Sequence, residues 1–379
     1  MSGRLCVFQM HHTDAVDGLE RLNAVEKARA SGIFDKVVLA AADVPENDGL
    51  DVWAERWGVD IFRGAEHDVA RRILDCAQIA DCDRIARALV WWFFIDLSLV
   101  ENMLDELDRT RADYVNLPRD FDIRFGADVF RIELLEKVLA ALEDPGDRER
   151  YQTNPWGLVE TSPERFDVRT FERVPAYGEG TFERVRRDMK TLWPERFDGA
   201  ETPLYPYRIA SRVMKEWGRA LDLACGLGAG TALLAEKGRA LGVDRSEEAV
   251  AAARERHGER AEFLAGDAFA LDLPAEGFDL IASIHTMEHV ADDRGFLELL
   301  QRWLAPEGRL VLEVPLRTAR PFEGIETPLS PGHVREYATG ELLELVAERF
   351  TVLETYGVNR GSYLDVSRAR SAVLIVAGK

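Results

Sequence analysis

Short apolar runs alternate with amphipathic segments of helical length along most of the chain. In the first half, the apolar runs predict strands at Arg4–Gln9, Lys36–Ala41, Asp60–Phe62 and Arg84–Phe94. The amphipathic segments predict helices at Gly18–Ala30, Leu50–Trp57, Asp68–Ala80, Leu99–Arg109 and Ile132–Leu142. This alternation is typical of an α/β protein whose parallel strands are joined by crossover helices.

A stretch rich in proline and glycine interrupts the pattern between Pro175 and Pro206. We interpret residues 175–204 as a linker that contains one helix, Thr181–Leu192. A second α/β series follows, with strands predicted at Ala220–Ala224, Ala240–Val243, Glu262–Leu264, Phe278–Ser283 and Arg309–Val314. The chain is therefore expected to form two α/β domains, at residues 1–174 and 205–379.

Composition and charge narrow the class of protein. The 379 residues include 46% hydrophobic residues, which suffices for packed cores without disulfides or metals. The formal net charge of −20 argues against a general nucleic-acid binder, because phosphate neutralisation needs a basic face. The opening residues lack the pattern of a signal peptide, and the most apolar run, Ala88–Val100, is too short to span a bilayer. We therefore expect a cytoplasmic protein without membrane insertion; a homodimer is left open.

The four cysteines give no sign of a metal site. Cys6, Cys76, Cys82 and Cys225 form no CxxC pair and no metal-ligand spacing. We expect them to be reduced cysteines of the core, as in a cytoplasmic protein.

The strongest chemical signal is the segment RALDLACGLGAGT, from Arg219 to Thr231. A predicted strand runs into a glycine-rich turn, and a helix is expected to begin near Ala229. Glycines at such a turn let a ligand approach the backbone closely. Dinucleotide-binding enzymes use a similar turn, but their GxGxxG spacing is absent here.

Acidic residues follow the next two predicted strands at positions that suit a nucleoside. Asp244 ends the second strand, where a carboxylate suits two hydrogen bonds to ribose hydroxyls. Asp267 follows the third strand, where it can accept a hydrogen bond from an adenine amine. The fourth strand ends at Ser283 and is followed closely by the segment HTMEHV.

This ordered series over residues 205–379 closely resembles class I S-adenosylmethionine-dependent methyltransferases. The resemblance implies a Rossmann-like domain with a seven-stranded sheet, S-adenosylmethionine as methyl donor and S-adenosylhomocysteine as product. It implies that the turn from Asp222 to Gly228 faces the methionine part of the donor, that Asp244 holds the ribose, and that Asp267 faces the adenine. The cofactor-binding residues expected from it are Asp222, Ala224, Cys225, Gly226, Gly228, Asp244, Arg245, Asp267, Ala268 and Ser283.

Methyl transfer to a hydroxyl needs a group that removes a proton, and histidine suits this role near neutral pH. The catalytic candidates are three histidines that follow predicted strand ends: His285, His289 and His333. His289 is expected to begin the next helix together with Glu288, so helix capping or a cofactor contact stays open for it. His333 lies in the loop Pro315–Ala338, which we interpret as a cover over the acceptor. No metal site is expected, because no metal-binding triad is evident.

Two segments bear on the methyl acceptor. HTMEHV and SPGHVREYATGELLELVAERF, the latter from Ser330 to Phe350, resemble a branch linked to sugar and surface-polysaccharide modification. The resemblance implies a small-molecule acceptor, namely a sugar, a nucleotide-sugar or a glycan-pathway intermediate. The methylated group is expected to be a hydroxyl or, with less support, an amine.

The first half resembles the cytidylyltransferase-like family, which activates acidic sugars with CTP and includes a spore-coat polysaccharide branch. The matching segments are residues 35–38, 58–60, 62–64, 68–69, 95–96, 113–115, 128–130, 148–149 and 162–166. No lysine or arginine occurs between Met10 and Gly18, where that family has its phosphate-binding loop. Trp91 stands where that family has a magnesium-binding aspartate. Since nucleotidyl transfer depends on both features, we expect a degenerate nucleotidyltransferase-like domain that uses neither CTP nor magnesium.

Two alternatives stay open on the sequence alone. One is a bifunctional enzyme that also activates its sugar with CTP, which requires magnesium binding despite Trp91. The other is a scaffold protein that binds S-adenosylmethionine without turnover. The pair His11 and His12 with Asp14 is a candidate metal site, but two loop histidines at the surface explain it equally well.

Overall fold

A computed structural model describes residues 3–10, 24–90, 92, 94–152, 154–192, 204–317, 322, 324–325, 327–359 and 362–379. The chain divides into a first unit, residues 1–192 with 318–324, and a second unit, residues 193–317 with 325–379. The predictions for His11, His12, Asp14 and Trp91 lie outside the described residues.

The first unit is built on a mixed sheet. Its strands are β1 (Arg4–Gln9), β2 (Lys36–Ala42), β3 (Asp60–Gly64), β4 (Arg84–Leu89), β5 (Tyr114–Asn116), β6 (Asp128–Arg131) and β7 (Val168–Thr170). Their order is β3-β2-β1-β4-β6-β5-β7, and β6 runs antiparallel to both of its neighbours. The β3-β2-β1-β4 part is parallel, as the alternating pattern predicts.

Helices connect these strands. Five lie where the amphipathic segments predict helices, one is the helix expected in the linker, and the two between residues 145 and 161 were not predicted. The helices are α1 (Ala24–Ala30), α2 (Leu50–Trp57), α3 (Val69–Ile79), α4 (Leu97–Thr110), α5 (Ile132–Ala141), α6 (Pro145–Tyr151), α7 (Pro155–Thr161) and α8 (Glu179–Leu192). The predicted strand Arg84–Phe94 was too long, because β4 ends at Leu89. The chain then leads to Asp96, whose side chain accepts the amides of Ser98 and Leu99 and caps α4.

A buried ion pair joins β4 to β6 in the first unit. Arg87 and Asp128 are 5% and 0% exposed, and a guanidinium nitrogen lies 2.6 Å from the carboxylate. Arg87 also donates to the side-chain oxygen of Gln9 at 2.7 Å, and the Tyr114 hydroxyl donates to Asp128 at 2.7 Å. These bonds cross β1, β4, β6 and β5, so they fix the strand pairing from inside the sheet.

The second unit has a larger sheet. Its strands are β8 (Arg219–Leu223), β9 (Arg239–Asp244), β10 (Glu262–Ala265), β11 (Phe278–Ile284), β12 (Leu304–Pro315), β13 (Thr351–Asn359), β14 (Ser362–Leu364) and β15 (Ala372–Gly378). The order is β10-β9-β8-β11-β12-β15-β13-β14, in which β15 is antiparallel to both neighbours. The sheet thus has the seven expected strands and one more, the three-residue β14, which pairs with β13.

The helices of the second unit are α9 (Tyr205–Val213), α10 (Ala229–Leu234), α11 (Glu247–His257), α12 (Asp293–Trp303) and α13 (Thr339–Ala347). The expectation that Glu288 and His289 begin a helix was wrong. They lie in a single 3₁₀ turn, and α12 begins after Asp292, whose side chain accepts the Gly295 amide and caps it. Among the described residues, no helix is long and apolar enough to cross a membrane.

The buried ion pair gives a stability prediction for the first unit. We expect Asp128→Ala to cost about 3–5 kcal/mol, because it leaves the Arg87 guanidinium buried without its carboxylate. Hydrogen–deuterium exchange of peptides from β4 and β6 measures this free energy of opening. The matched control, Asp51→Ala, removes an exposed partner of Arg63 and should cost less than about 1 kcal/mol. Equal protection of β4 in the two variants would contradict the role given to the pair.

Candidate functional site

The turn between β8 and α10 has an unusual backbone. Ala224, Gly226 and Gly228 have φ angles of 64°, 53° and 84°, in the left-handed region. A Cβ atom added to Gly228 would lie 2.7 Å from ring carbons of Phe263, so only glycine fits there. The expectation that the strand includes Ala224 was wrong, because the chain leaves the sheet after Leu223.

A buried carboxylate lies beneath this turn. Asp222 is fully buried and accepts hydrogen bonds from the hydroxyls of Tyr207 and Thr231, at 3.0 and 2.6 Å. Burial raises the pKa of Asp222 to about 6, although the two hydroxyl hydrogen bonds lower it. A Cβ atom on Gly230 would lie 2.1 Å from the Tyr207 ring, so this glycine makes room for the tyrosine.

Asp244 connects the turn to the end of β9. One of its carboxylate oxygens accepts the amide of Gly226 and the other accepts the amide of Ser246, each at 2.9 Å. Next to the turn, Cys225 is buried, its amide donates to the Val243 carbonyl at 3.0 Å, and burial raises the pKa of its thiol. The thiol is therefore neutral.

The remaining predicted donor residues follow β9 and β10 or lie near the end of β11. Arg245 and Asp267 are exposed and Ala268 is half-buried. An oxygen of Asp267 accepts the amide of Phe269 at 2.8 Å. Ser283 is fully buried, and its hydroxyl has no hydrogen-bond partner among the residues that the structure describes. Because β8 to β11 are parallel neighbours, their carboxyl ends meet at one edge of the sheet, where α/β proteins bind ligands.

His285 lies at the same edge, directly after β11, with a φ of 52°. Its Nε2 is 3.0 Å from the buried carboxylate of Glu313, and its Nδ1 is 3.5 Å from Glu288. Desolvation lowers the pKa of His285, but the two carboxylates outweigh this and raise it to about 10. The Tyr363 hydroxyl donates to the second oxygen of Glu313. The two carboxylates thus favour the imidazolium form of His285, and its catalytic role stays a prediction.

The other two candidate histidines lie together. The rings of His289 and His333 are 5.0 Å apart in an edge-to-face arrangement. The Nδ1 of His289 is 2.8 Å from the Gly332 carbonyl, and the Nδ1 of His333 is 2.8 Å from the carboxylate of Glu336. The amides of Val334 and Arg335 donate to the Glu288 carbonyl, so the loop that carries His333 is fixed to the turn that carries His289.

Comparisons with known proteins bear on this edge. Residues 221–312 match the protein-family model described as "Methyltransferase domain". A protein of Mycolicibacterium smegmatis named "Probable S-adenosylmethionine-dependent methyltransferase" is 35% identical over 159 residues, which are 41% of this chain and 61% of that protein. A protein of the same name from Mycobacterium tuberculosis is 34% identical over 192 residues, which are 50% of this chain and 66% of that protein. The chain therefore spans 61% to 66% of the length of these curated relatives.

The second unit carries a class I S-adenosylmethionine-dependent methyltransferase domain. Among solved structures, the domain is similar to the 1,6-didemethyltoxoflavin-N1-methyltransferase of Burkholderia thailandensis, determined with bound 1,6-didemethyltoxoflavin and S-adenosylhomocysteine. That match has 22% identity and a TM-score of 0.40, and it covers 54% of this chain and 92% of that chain. S-adenosylmethionine is the cofactor of such domains.

Two features of the methyltransferase domain fit this cofactor. Gly226 and Gly228 have no side chain, so the backbone of the left-handed turn can lie close to a ligand. Ser283 offers a buried hydroxyl without a partner among the described residues. The individual donor contacts of the predicted residues, including Arg245 and Ala268, stay predictions.

Sequence reasoning missed three residues of this edge: Thr231, Glu313 and Tyr363. Glu313 had a usable signal, because it is the lone charge within the apolar run LVLEVP of β12. Thr231 and Tyr363 had no usable signal in the sequence. Thr231 lies in the first turn of α10 and Tyr363 in the short strand β14, where a hydroxyl is ordinary.

The buried Asp222 gives a pH prediction. Its pKa of about 6 in the fold exceeds the value of about 3.9 for an unfolded chain, so the folded state holds the proton to higher pH. The contribution of this group to stability is therefore present below about pH 4 and is lost as the pH rises through about 6. We expect the difference in unfolding free energy between the wild type and Asp222→Asn to fall by about 3 kcal/mol between pH 4 and 7.

Urea unfolding of the methyltransferase domain within the full chain, at matched pH values, measures this difference. The control is Asp267→Asn, since that carboxylate is exposed and should show no comparable trend. A difference that stays flat from pH 4 to 7 for Asp222→Asn would refute the buried, proton-binding carboxyl.

Proposed function

We propose that the protein transfers a methyl group from S-adenosylmethionine to a hydroxyl of a sugar, a nucleotide-sugar or a glycan-pathway intermediate. The observation that carries the proposal is the edge formed by the left-handed turn after β8, Asp244 and Asp267. The donor, when bound, supplies a methyl group that its sulfonium activates. The protein has to place an acceptor oxygen in line with that methyl group and to remove a proton, and positioning alone accounts for much of the acceleration.

The donor half of the proposal is supported by unused hydrogen-bonding capacity. Each oxygen of Asp244 accepts one backbone amide and retains a further lone pair, which is what two ribose hydroxyls require. Asp267 likewise accepts one amide on one oxygen, which leaves the other for an adenine amine. The glycine turn, in this proposal, accommodates the methionine part above the buried Asp222.

The acceptor half is supported by the two neighbouring histidines. The Nδ1 atoms of His289 and His333 face groups that only accept hydrogen bonds, a carbonyl and a carboxylate. In the neutral form of each ring Nδ1 therefore donates, and Nε2 is left as an acceptor that suits a hydroxyl proton. The sugar class rests on the resemblance of residues 285–290 and 330–350 to sugar-modifying methyltransferases.

For the first unit, we infer a cytidylyltransferase-like domain that serves binding or assembly without catalysis. Its parallel β3-β2-β1-β4 strands support the resemblance of the matching segments. One oxygen of Asp96 caps α4 and the other accepts the Tyr177 hydroxyl at 2.6 Å. Asp96 is the acid of the matching segment 95–96, and a carboxylate engaged in this way is a poor magnesium ligand. These contacts favour the non-catalytic interpretation over the bifunctional one.

The donor site can be tested by affinity. We expect Asp244→Asn to weaken binding of S-adenosylhomocysteine by about 10- to 100-fold, because one strong acceptor for a ribose hydroxyl is lost. Isothermal titration of the full chain measures the dissociation constant. Asp272→Asn, at an exposed position, is the control with unchanged affinity. Equal affinity of Asp244→Asn and wild type would remove Asp244 from the donor site.

The acceptor class can be tested by product release. We expect S-adenosylhomocysteine to form with at least one member of a panel of free, phosphate-linked and CMP-, UDP- or dTDP-linked sugars. A hit confined to nucleotide-linked sugars would support a first unit that binds the nucleotide. A hit on free sugars would favour an assembly role for that unit. A panel without turnover, with donor binding intact, would contradict the sugar assignment.

A further inference from the structure

Three side chains of the methyltransferase domain form a group with the composition of a metal site. Glu288, His289 and His333 each offer a ligand atom within 4.8 Å of the other two. The Nε2 of His289 is 3.8 Å from a carboxylate oxygen of Glu288. Neither the donor site nor the proton transfer proposed above makes use of the carboxylate of Glu288.

The Glu288 carboxylate is the first observation that points to a missing ligand. The residue is fully buried, and neither of its oxygens has a hydrogen-bond partner among the described residues. Its nearest cationic neighbour, His285, is 3.5 Å away and is held more closely by Glu313 at 3.0 Å. The ion pair with His285 reaches one oxygen of Glu288 and is shared with Glu313, so the second oxygen stays buried without a partner among the described residues. A cation that completes the coordination of Glu288 would stabilise it.

The orientation of the two imidazoles is the second, independent observation. His289 donates from Nδ1 to the Gly332 carbonyl, and His333 donates from Nδ1 to the Glu336 carboxylate, each at 2.8 Å. Metal-binding histidines usually donate their second ring N–H to a carbonyl or a carboxylate in this way, which fixes the tautomer and orients the ring. In the neutral form of each ring this leaves Nε2 as the atom that can ligate a metal.

We propose that Glu288, His289 and His333 bind a divalent transition-metal ion, with zinc as the best match. Two imidazoles and one carboxylate suit zinc and its neighbours, whereas magnesium and calcium prefer oxygen ligands throughout. Three protein ligands leave a fourth position open, which is the arrangement of catalytic rather than structural zinc sites. The sequence predicts no such site because His333 is separated from Glu288 and His289 by α12, β12 and a long loop.

The position of the site indicates what fills the open coordination position. Glu288 and His289 follow β11 directly, beyond Ser283 and His285, at the edge where the donor is expected. An ion there would hold the oxygen of the acceptor hydroxyl and lower its pKa. Because the ion would occupy both Nε2 atoms, the hydroxyl proton would then pass to water instead of to His289 or His333. This role in methyl transfer rests on the proposed function, whereas the metal site itself does not.

The test uses the full chain after removal of metals with a chelator. We expect one Co²⁺ ion per chain, with the visible absorption of a tetrahedral site, and displacement of Co²⁺ by one Zn²⁺. Glu288→Gln and His333→Ala should each weaken binding by about 100-fold or more, whereas the matched control His257→Ala should bind as the wild type does. Circular dichroism and binding of S-adenosylhomocysteine show that each variant is folded.

The outcomes separate this inference from the proposed function. Absence of tetrahedral absorption in the wild type, or wild-type affinity in the folded Glu288→Gln and His333→Ala variants, would overturn the metal site. In that case intact binding of S-adenosylhomocysteine leaves the proposed function in place. Loss of donor binding in a chain that still binds Co²⁺ would overturn the proposed function and retain the metal site.

Discussion

The methyltransferase domain depends on one buried carboxylate and the two hydroxyls that hold it. Asp222 lies inside the fold, and without the hydroxyls of Tyr207 and Thr231 its ionised form would be strongly disfavoured. The three residues belong to β8, α9 and α10, so the same bonds that satisfy the charge also fix the strand and helices on both sides of the glycine turn. The shape of the turn is thus determined from below, before any ligand binds.

Asp244 extends this constraint across the sheet. Its carboxylate binds the amide of Gly226 within the turn and the amide of Ser246 before α11, so the ends of β8 and β9 have a fixed relation. In the proposed donor site this acid serves the fold and the donor together, since each oxygen keeps a lone pair for a ribose hydroxyl. A substitution at Asp244 therefore affects the turn as well as ligand binding. Asp244→Asn keeps the shape of the side chain, so it disturbs the turn less than Asp244→Ala would.

The sequence predicts the positions of the strands and helices better than it predicts which side chains meet at the candidate site. Apolar periodicity locates most strands and helices to within a few residues, because burial on two sides of a parallel sheet leaves a strong local pattern. It overextends β4, and it includes Ala224 in β8, because a positive φ at a non-glycine residue has no local signal. The ion pair of Glu313 with His285 and the proximity of Glu288 to His333 join segments that are distant in the sequence. No local sequence pattern predicts such contacts.

A glycine turn at the carboxyl edge of a parallel sheet can bind a dinucleotide or S-adenosylmethionine, and the charge of this edge distinguishes the two. Carboxylates at this edge belong to Asp222, Asp244, Asp267, Glu288 and Glu313, and the cations beside them are His285 and the exposed Arg245. Such an excess of negative charge would repel the pyrophosphate of a dinucleotide. It attracts a donor that has an ammonium and a sulfonium, and it attracts a divalent ion. The same electrostatics thus favour S-adenosylmethionine over NAD and are compatible with the metal ion proposed at Glu288.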